Sequence, residues 1–279
     1  DLAELVRYGR ERGIGIILYV NHLALERQLD VLFPLFEQWG IAGVKFGFVN
    51  VGPQEWTSWL LGAVRKAAEH HLVVDIHDAY RPSGLSRLYP NLLTVEGVRG
   101  NEHMPTAKHN TTLPFTRFVA GAADYTICYY DDRIKTTHAH QQALAVVFYS
   151  PLQFVFWYDQ PSAYQGEPEV EFFAHVPTVW DETRVLHGVI GEYVTIARRK
   201  GDEWFLGSIT NEKGRKLQIP MDFLEAGTTY AMNVYSDCAV TAGNRTGVKV
   251  ERYEVNRSTV ISAVLAPSGG HAVRLVPVK

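Results

Sequence analysis

The chain has 279 residues, 46% apolar and 20% charged, enough apolar material for one large domain and a smaller one and too much for a disordered chain. A formal net charge of −3, with no run of Lys/Arg interleaved with aromatics, lacks the basic field that draws phosphate backbones, so nucleic acid is not expected as a partner. The longest apolar run, Ala143 to Trp157, is broken by Ser150, Pro151 and Gln153 and falls short of the roughly 18 residues a membrane span needs, so no spanning segment is expected.

In chain order, Asp1 to Arg12 has helical character and Gly13 to Val20 is an Ile-rich apolar run, as a strand buried on both faces should be. Leu25, Leu29, Leu32, Phe33 and Phe36 form one apolar stripe on a following helix, bent at Pro34 and closed by Gly40. Gly43 to Val49 is the next strand. Pro53 opens a second helix, with Trp56, Trp59, Leu60, Val64 and Ala67 on its buried face, and Leu72 to Ile76 is again a strand. Further strands are expected at Leu92 to Val95, Tyr125 to Tyr129 and Gln153 to Trp157, with helices near Thr111 to Ala122 and Thr137 to Phe148.

Six strands alternating with helices predict a parallel sheet whose right-handed crossovers close either into a doubly wound sheet or a barrel, and six units fit a barrel of eight less two. The fold class expected is therefore α/β plus all-β. Residues 1–180 carry the last six strand-helix units of a (β/α)8 barrel, whose first two strands lie upstream of Asp1 in a longer protein. From about Asp181 the pattern changes to short alternating strands, with a hairpin turning at Lys200, Gly201 and Asp202, so residues 181–279 are expected to form an antiparallel β-sandwich that packs against the barrel. Cys128 and Cys238, far apart in sequence, are expected to be buried thiols.

Reactive groups of a barrel gather at the carboxyl ends of its strands. Those ends carry Asn21 and His22, Asn50, His77 and Asp78, Glu96 to Glu102, Asp131 and Asp132, and Asp159. A rim of carboxylates beside Tyr80, Tyr89, Tyr129, Tyr130, Trp157 and Tyr158 suits a sugar, whose hydroxyls bond acids and whose C–H faces meet aromatic rings. Abundant histidines raise the alternative of a metal-dependent amidohydrolase. Against it, His138 and His140 lie two apart on an expected helix and point in different directions.

The segments "GVKFGFVNVG" (43–52), "IHDAYRPSGLSRLYPNLLTVEGVRGNEH" (76–103), "HNTTLPFTRFVAGAADYT" (109–126) and "YVTIARRKGDEWFLGSITN" (193–211) resemble glycoside hydrolase family 97 along nearly the whole chain. The resemblance implies an α-glycosidase of bacterial, periplasmic location, with an N-terminal β domain outside this chain, Ca2+ as cofactor and an α-linked galactoside or other α-glycoside as substrate. It makes Glu102 of "RGNEH" the general acid/base and Glu96 of "TVEG" a calcium ligand together with Glu102. A salt bridge to Arg99 or Arg87 is the structural alternative for Glu96. Lys45, Asn50, His77, Asp78 and Arg81 are the substrate-binding candidates.

Inverting glycosidases activate water with a carboxylate about 6.5 to 9.5 Å from the acid, and retaining ones attack with a carboxylate about 5 to 5.5 Å away. The retaining, α-galactosidase branch resembles "GVKxDF" with Asp as nucleophile, but the strand here reads "GVKFGF", with Gly47 in the nucleophile's place. The inverting branch resembles "HE" after the next strand, where this chain has His77 and Asp78. The expectation is an exo-acting retaining α-galactosidase lacking its nucleophile. Gly in mid-strand is depleted and the other motif residues are intact, so engineering is favoured over a natural paralogue or a misaligned motif. A cavity the size of a carboxymethyl group, able to hold a small anion, is expected at Gly47. An inverting α-glucosidase and a non-catalytic carbohydrate-binding paralogue are the alternatives.

Overall fold

The computed structural model describes residues 1–238 and 245–278 and divides into two compact units, the first comprising residues 1–98, 121–124 and 150–152, the second 99–120, 125–149 and 153 onward. The first unit begins with α1 (Leu2–Arg10), capped by the Asp1 carboxylate accepting from Ala3 N, and continues as β1 (Ile17–Asn21), α2 (His22–Trp39), β2 (Gly43–Gly47), α3 (Gln54–Glu69), β3 (Val73–Ile76) and β4 (Leu92–Val95). The four strands are parallel and lie in chain order in one sheet. Val44, Phe46, Val74 and Ile76 leave one face to pack with Leu25, Phe33, Phe36, Leu60, Val64 and Ala67 of α2 and α3. Because side chains alternate along a strand, the opposite face receives Tyr19, Lys45, Asp75 and Thr94, which are cross-strand partners in one row. A polar row on an otherwise buried parallel sheet is where this unit departs from its apolar pattern.

In the second unit the segment expected to be one long helix breaks into α4 (Ala107–Thr112) and two 3-10 turns, Leu113–Phe115 and Arg117–Ala120. Pro114, which offers no N–H and disfavours helix at the residue before it, accounts for the break. Likewise the strands expected at 125–129 and 153–157 contract to a single parallel bridge, Ile127 to Val155. Thr126 (φ 57°) and Phe156 (φ 59°) leave the extended region and end the pairing on either side. Helix α5 (His138–Val147) follows, with Thr137 as N-cap, then the short α6 (Glu171–His175).

The remaining strands are β5 (Glu182–Val189), β6 (Tyr193–Lys200), β7 (Glu203–Thr210), β8 (Arg215–Pro220), β9 (Tyr230–Asp237), β10 (Val248–Val255), β11 (Val260–Leu265) and β12 (Gly270–Pro277). They form a six-stranded antiparallel sheet ordered β10-β9-β12-β7-β6-β5 and a two-stranded sheet β11-β8. Leu217, Ile219, Ala263 and Leu265 of the small sheet meet Leu206, Val234, Val273 and Leu275 of the large one in a shared core, which makes the domain a β-sandwich. The expected hairpin at residues 200–202 joins β6 to β7. Cys128 is buried, whereas Cys238 is half-buried, so the expectation of two buried thiols holds for the first alone.

The outer face of the large sheet seats α5. A Cβ at Gly207 would lie 2.5 Å from the Ala143 carbonyl oxygen, and one at Gly270 would lie 2.4 Å from the His140 Cα, so two glycines let backbone approach backbone. Arg198 closes the contact by donating to the carbonyls of Val146 and Val147. A buried relay extends it: Tyr125 donates to Asn110 Oδ1, Asn110 Nδ2 to His140 Nε2, and His140 Nδ1 to the Gly269 carbonyl. Gly270→Ala is expected to destabilise the chain by about 3 kcal/mol or more, since the obstruction is main chain and cannot rotate away. Urea unfolding checks this, and a midpoint like that of the unsubstituted chain would refute the contact.

Burial holds His140 and His271 down at about 4, the former despite its bond to the Gly269 carbonyl, the latter despite Glu251 nearby. Unfolded histidine titrates near 6.5, so below that pH the unfolded chain takes up protons the folded chain refuses. Their contribution is complete above pH 6.5 and is lost as pH falls toward 4, by about 2 kcal/mol for each histidine at pH 5. Replacing His140 by Asn should flatten the decline in unfolding midpoint between pH 7.5 and 5; an unchanged slope would count against it.

Candidate active site

The polar row of the first unit converges on Lys45. Its Nζ lies 3.1 Å from Asp75 Oδ2, 3.1 Å from Glu96 Oε1 and 2.5 Å from Asp124 Oδ2, and the lysine is 1% exposed. Burial alone would discharge the ammonium, but Asp75, Asp124 and Glu96 outweigh it and hold the lysine protonated, above its ordinary range. The carboxylates show the converse. Burial drives Asp75 well above the usual range, with Asp124 adding and Lys45 opposing, and it pushes Glu96 up to about 7 against Lys45 and His77. One ammonium is too little positive charge for this set.

Glu96 is also the pivot of the loop ends. Its Oε2 accepts from Asp78 N at 2.7 Å, its own N–H donates to the Ile76 carbonyl, and Gly97 N donates to the Asp78 carbonyl. Asp78 takes φ 64°, a left-handed conformation that Asp tolerates, which turns its N–H onto the carboxylate. His77 is buried, with Nδ1 2.9 Å from Asp78 Oδ2 and Nε2 3.5 Å from Glu96 Oε1. The alternative of a salt bridge from Glu96 to Arg99 or Arg87 gives way to these contacts with Lys45 and His77. Asn50 is exposed and lies against His22, and Arg81 is exposed.

The residue set fits the Ca2+ that the resemblance implies. Glu96 offers hard carboxylate oxygens, the donors that ion takes, and burial raises its pKa to about 7, so a positive charge beside it would stabilise its ionised form.

Gly47 corrects the expectation of a cavity. A Cβ there would lie 2.5 Å from the Tyr19 ring and 2.7 Å from its hydroxyl oxygen. Tyr19 stands two residues before Asn21, the cross-strand partner of Gly47, on the same face of β1, and its ring is edge-on to His77 at 5.4 Å. The space expected to be empty holds a phenol.

Glu102 is built by the second unit. Gly100 brings the main chain so close to Tyr125 that a Cβ would lie 2.4 Å from its carbonyl oxygen; Asn101 N donates to that carbonyl and Asn101 Nδ2 to Gln141. In "RGNEH", therefore, Gly allows the approach, Asn anchors, and the half-buried Glu is presented on the 3-10 turn Asn101–His103. Partial burial, and then the charge of Glu102, raise the Tyr158 phenol. Sequence reasoning missed Tyr19, Asp75 and Asp124. A lone acid in "LVVDI", at the register of the lone lysine in "GVKFGF", is the signal that would have found Asp75.

A parallel β/α sheet whose strand ends carry histidine and carboxylates, with an antiparallel sandwich after it, has the architecture of a glycoside-hydrolase barrel with its C-terminal domain. Residues 1–98 match the family model Glycoside hydrolase 97, and residues 179–276 match Glycosyl-hydrolase 97 C-terminal, oligomerisation. Over 296 aligned residues the chain is 35% identical to a retaining alpha-galactosidase of Bacteroides thetaiotaomicron, covering 99% of this chain and 44% of that protein. It is 34% identical over 227 residues to a probable retaining alpha-galactosidase of Streptomyces bingchenggensis, covering 79% of this chain and 35% of that protein. A family 97 enzyme of Pseudoalteromonas sp. strain K8, solved in complex with acarbose, superposes with TM-score 0.92 at 30% identity over 100% of this chain and 49% of its own. The chain belongs to glycoside hydrolase family 97. It spans about half the length, or less, of these relatives.

Lys45→Met is expected to cost about 3 to 5 kcal/mol in unfolding free energy, because three buried carboxylates lose their counter-charge. A urea titration checks it; a loss below about 1 kcal/mol would mean that the cluster is not held by the ammonium.

Proposed function

We propose that this chain carries the catalytic barrel of an exo-acting α-galactosidase of the retaining type in which position 47 no longer supplies the nucleophile. Glu102 is the acid/base: it protonates the leaving oxygen, and as carboxylate it would take a proton from water in the second displacement. His77, Asp78 and Asn50 bond sugar hydroxyls, with Arg81 at the rim, while Lys45 fixes the carboxylates behind them. Glu96 and Glu102 would hold Ca2+, as the family resemblance implies, and the ion would supply positive charge to a substrate oxygen. The galactoside assignment rests on the two relatives named as retaining α-galactosidases and on Asp78 standing where the inverting branch has Glu. Bacterial periplasmic location and an N-terminal β domain are parts of the same reading, as is a boundary near residue 180 between barrel and sandwich.

The Tyr19 ring over Gly47 bears on what the present sequence does. It favours a second reading for the chain as it stands, a sugar-binding paralogue that holds α-glycosides without cleaving them. The test is hydrolysis of 4-nitrophenyl α-galactoside by three variants. Gly47→Asp with Tyr19→Ala should gain at least on the order of a thousandfold, within the roughly millionfold lost when a hydrolase loses its nucleophile, and should release the retained anomer first. Gly47→Asp alone should gain far less, since the phenol occupies the carboxylate's space. Azide should accelerate Tyr19→Ala and leave the unsubstituted chain unaffected. Equal rates for the single and double variants would discard the role given to Tyr19, and an inverted product would discard the retaining assignment.

A further inference from the structure

The inner face of the large sheet is only partly covered, because the two-stranded sheet β11-β8 buries Met232 and Val234 of β9 but leaves the inner face of β10 exposed. Between β9, β10 and β11 lies a cleft of about 500 Å3, within the range of small-molecule sites. Its floor is set by register. His271 pairs with Ser236 and Ser236 with Lys249, so these three form one polar row across the sheet. The next rows outward place Val234 opposite Glu251 and Met232 opposite Tyr253.

His271 is the telling member. It is 3% exposed, lines the cleft, and its Nδ1 makes no hydrogen bond among the described residues. A buried nitrogen left unsatisfied costs about 1 to 3 kcal/mol, and in a native fold it calls for a partner. On the same wall Lys249 is committed to Glu251 at 2.7 Å, and Tyr253 donates to the same carboxylate oxygen at 2.6 Å. The lysine charge is thus spent internally, and Asp237, Glu251 and Glu254 on the lining repel anions. A lipid chain would strand the polar row, and an apolar ring would leave the His271 nitrogen unpaired. What matches is a neutral molecule with hydroxyls along one edge and C–H groups along another.

We infer that this cleft of the sandwich binds a neutral saccharide unit, with hydroxyls bonded to the His271 imidazole, Ser236 and Glu251, and the apolar face of the ring against Tyr253. The site belongs to the C-terminal domain and stands whether or not the barrel hydrolyses galactosides. It would hold a glycan chain by a second point, raising the local concentration of its ends.

The test is an NMR titration of the full chain with methyl α-galactopyranoside, methyl α-glucopyranoside and maltotriose, following the His271 ring and the Tyr253 side chain. At least one sugar should shift both signals saturably with a millimolar dissociation constant. Tyr253→Ala and Glu251→Gln, both at exposed or partly exposed positions that leave folding intact, should weaken it by about tenfold or more. Three outcomes would overturn the proposal: no shift at either residue with any of the three sugars, an affinity unchanged in both variants, or a concentration-dependent mass in sedimentation that these variants abolish, which would make the occupant a second copy of the chain.

Discussion

The first unit is organised around a single buried ammonium. Lys45 meets Asp75 from the neighbouring strand, Glu96 from the end of β4 and Asp124 from the returning segment 121–124, so one side chain joins three stretches of backbone. Desolvating these charges is expensive, and their attraction does not guarantee net stability. What the cluster does enforce is register. A shift of one residue in β2 would send Lys45 into the apolar layer of α2 and α3 and bring Phe46 among the acids. With Lys45 fixed inward, Gly47 faces the same way, and Tyr19, the cross-strand partner of Lys45, reaches over it.

The same cluster prepares the chemistry of the loop ends. Glu96 faces Lys45 with one oxygen and the Asp78 amide with the other, so the turn that carries His77 and Asp78 is held by a residue that is itself held. A carboxylate raised to about 7 by burial, in a group with more acid than base, is a place where a cation is welcome. Glu102 is positioned through its neighbours, by a close backbone approach at Gly100 and the Asn101 anchor.

Much of this could be read from the sequence, and the exceptions have physical causes. The apolar stripes of α2 and α3, the strands at 43–47, 73–76 and 92–95 and the β6–β7 hairpin follow from periodicity, which is local. The irregular segments at 113–129 and 153–157 did not, because Pro114 and the left-handed Thr126 and Phe156 override an apolar run that otherwise resembles regular structure. In the site, motif residues on loops were legible as types. The phenol over Gly47 was not, since a diagonal contact between two strands depends on register and on a rotamer, neither of which is written locally.

The two glycine notches beneath α5 also bear on how the molecule comes apart. A helix from the α/β part of the chain is seated on the sandwich by backbone contact, an arginine that caps its last carbonyls and a relay ending at Gly269. Such contacts form together or not at all. Residues 138–147 and the strands from β6 to β12 should therefore open as one cooperative block in hydrogen exchange, with amides of the helix and the sheet reporting the same free energy. The seam along which this protein unfolds then runs through the interior of its α/β region and not along the change in sequence pattern near residue 180.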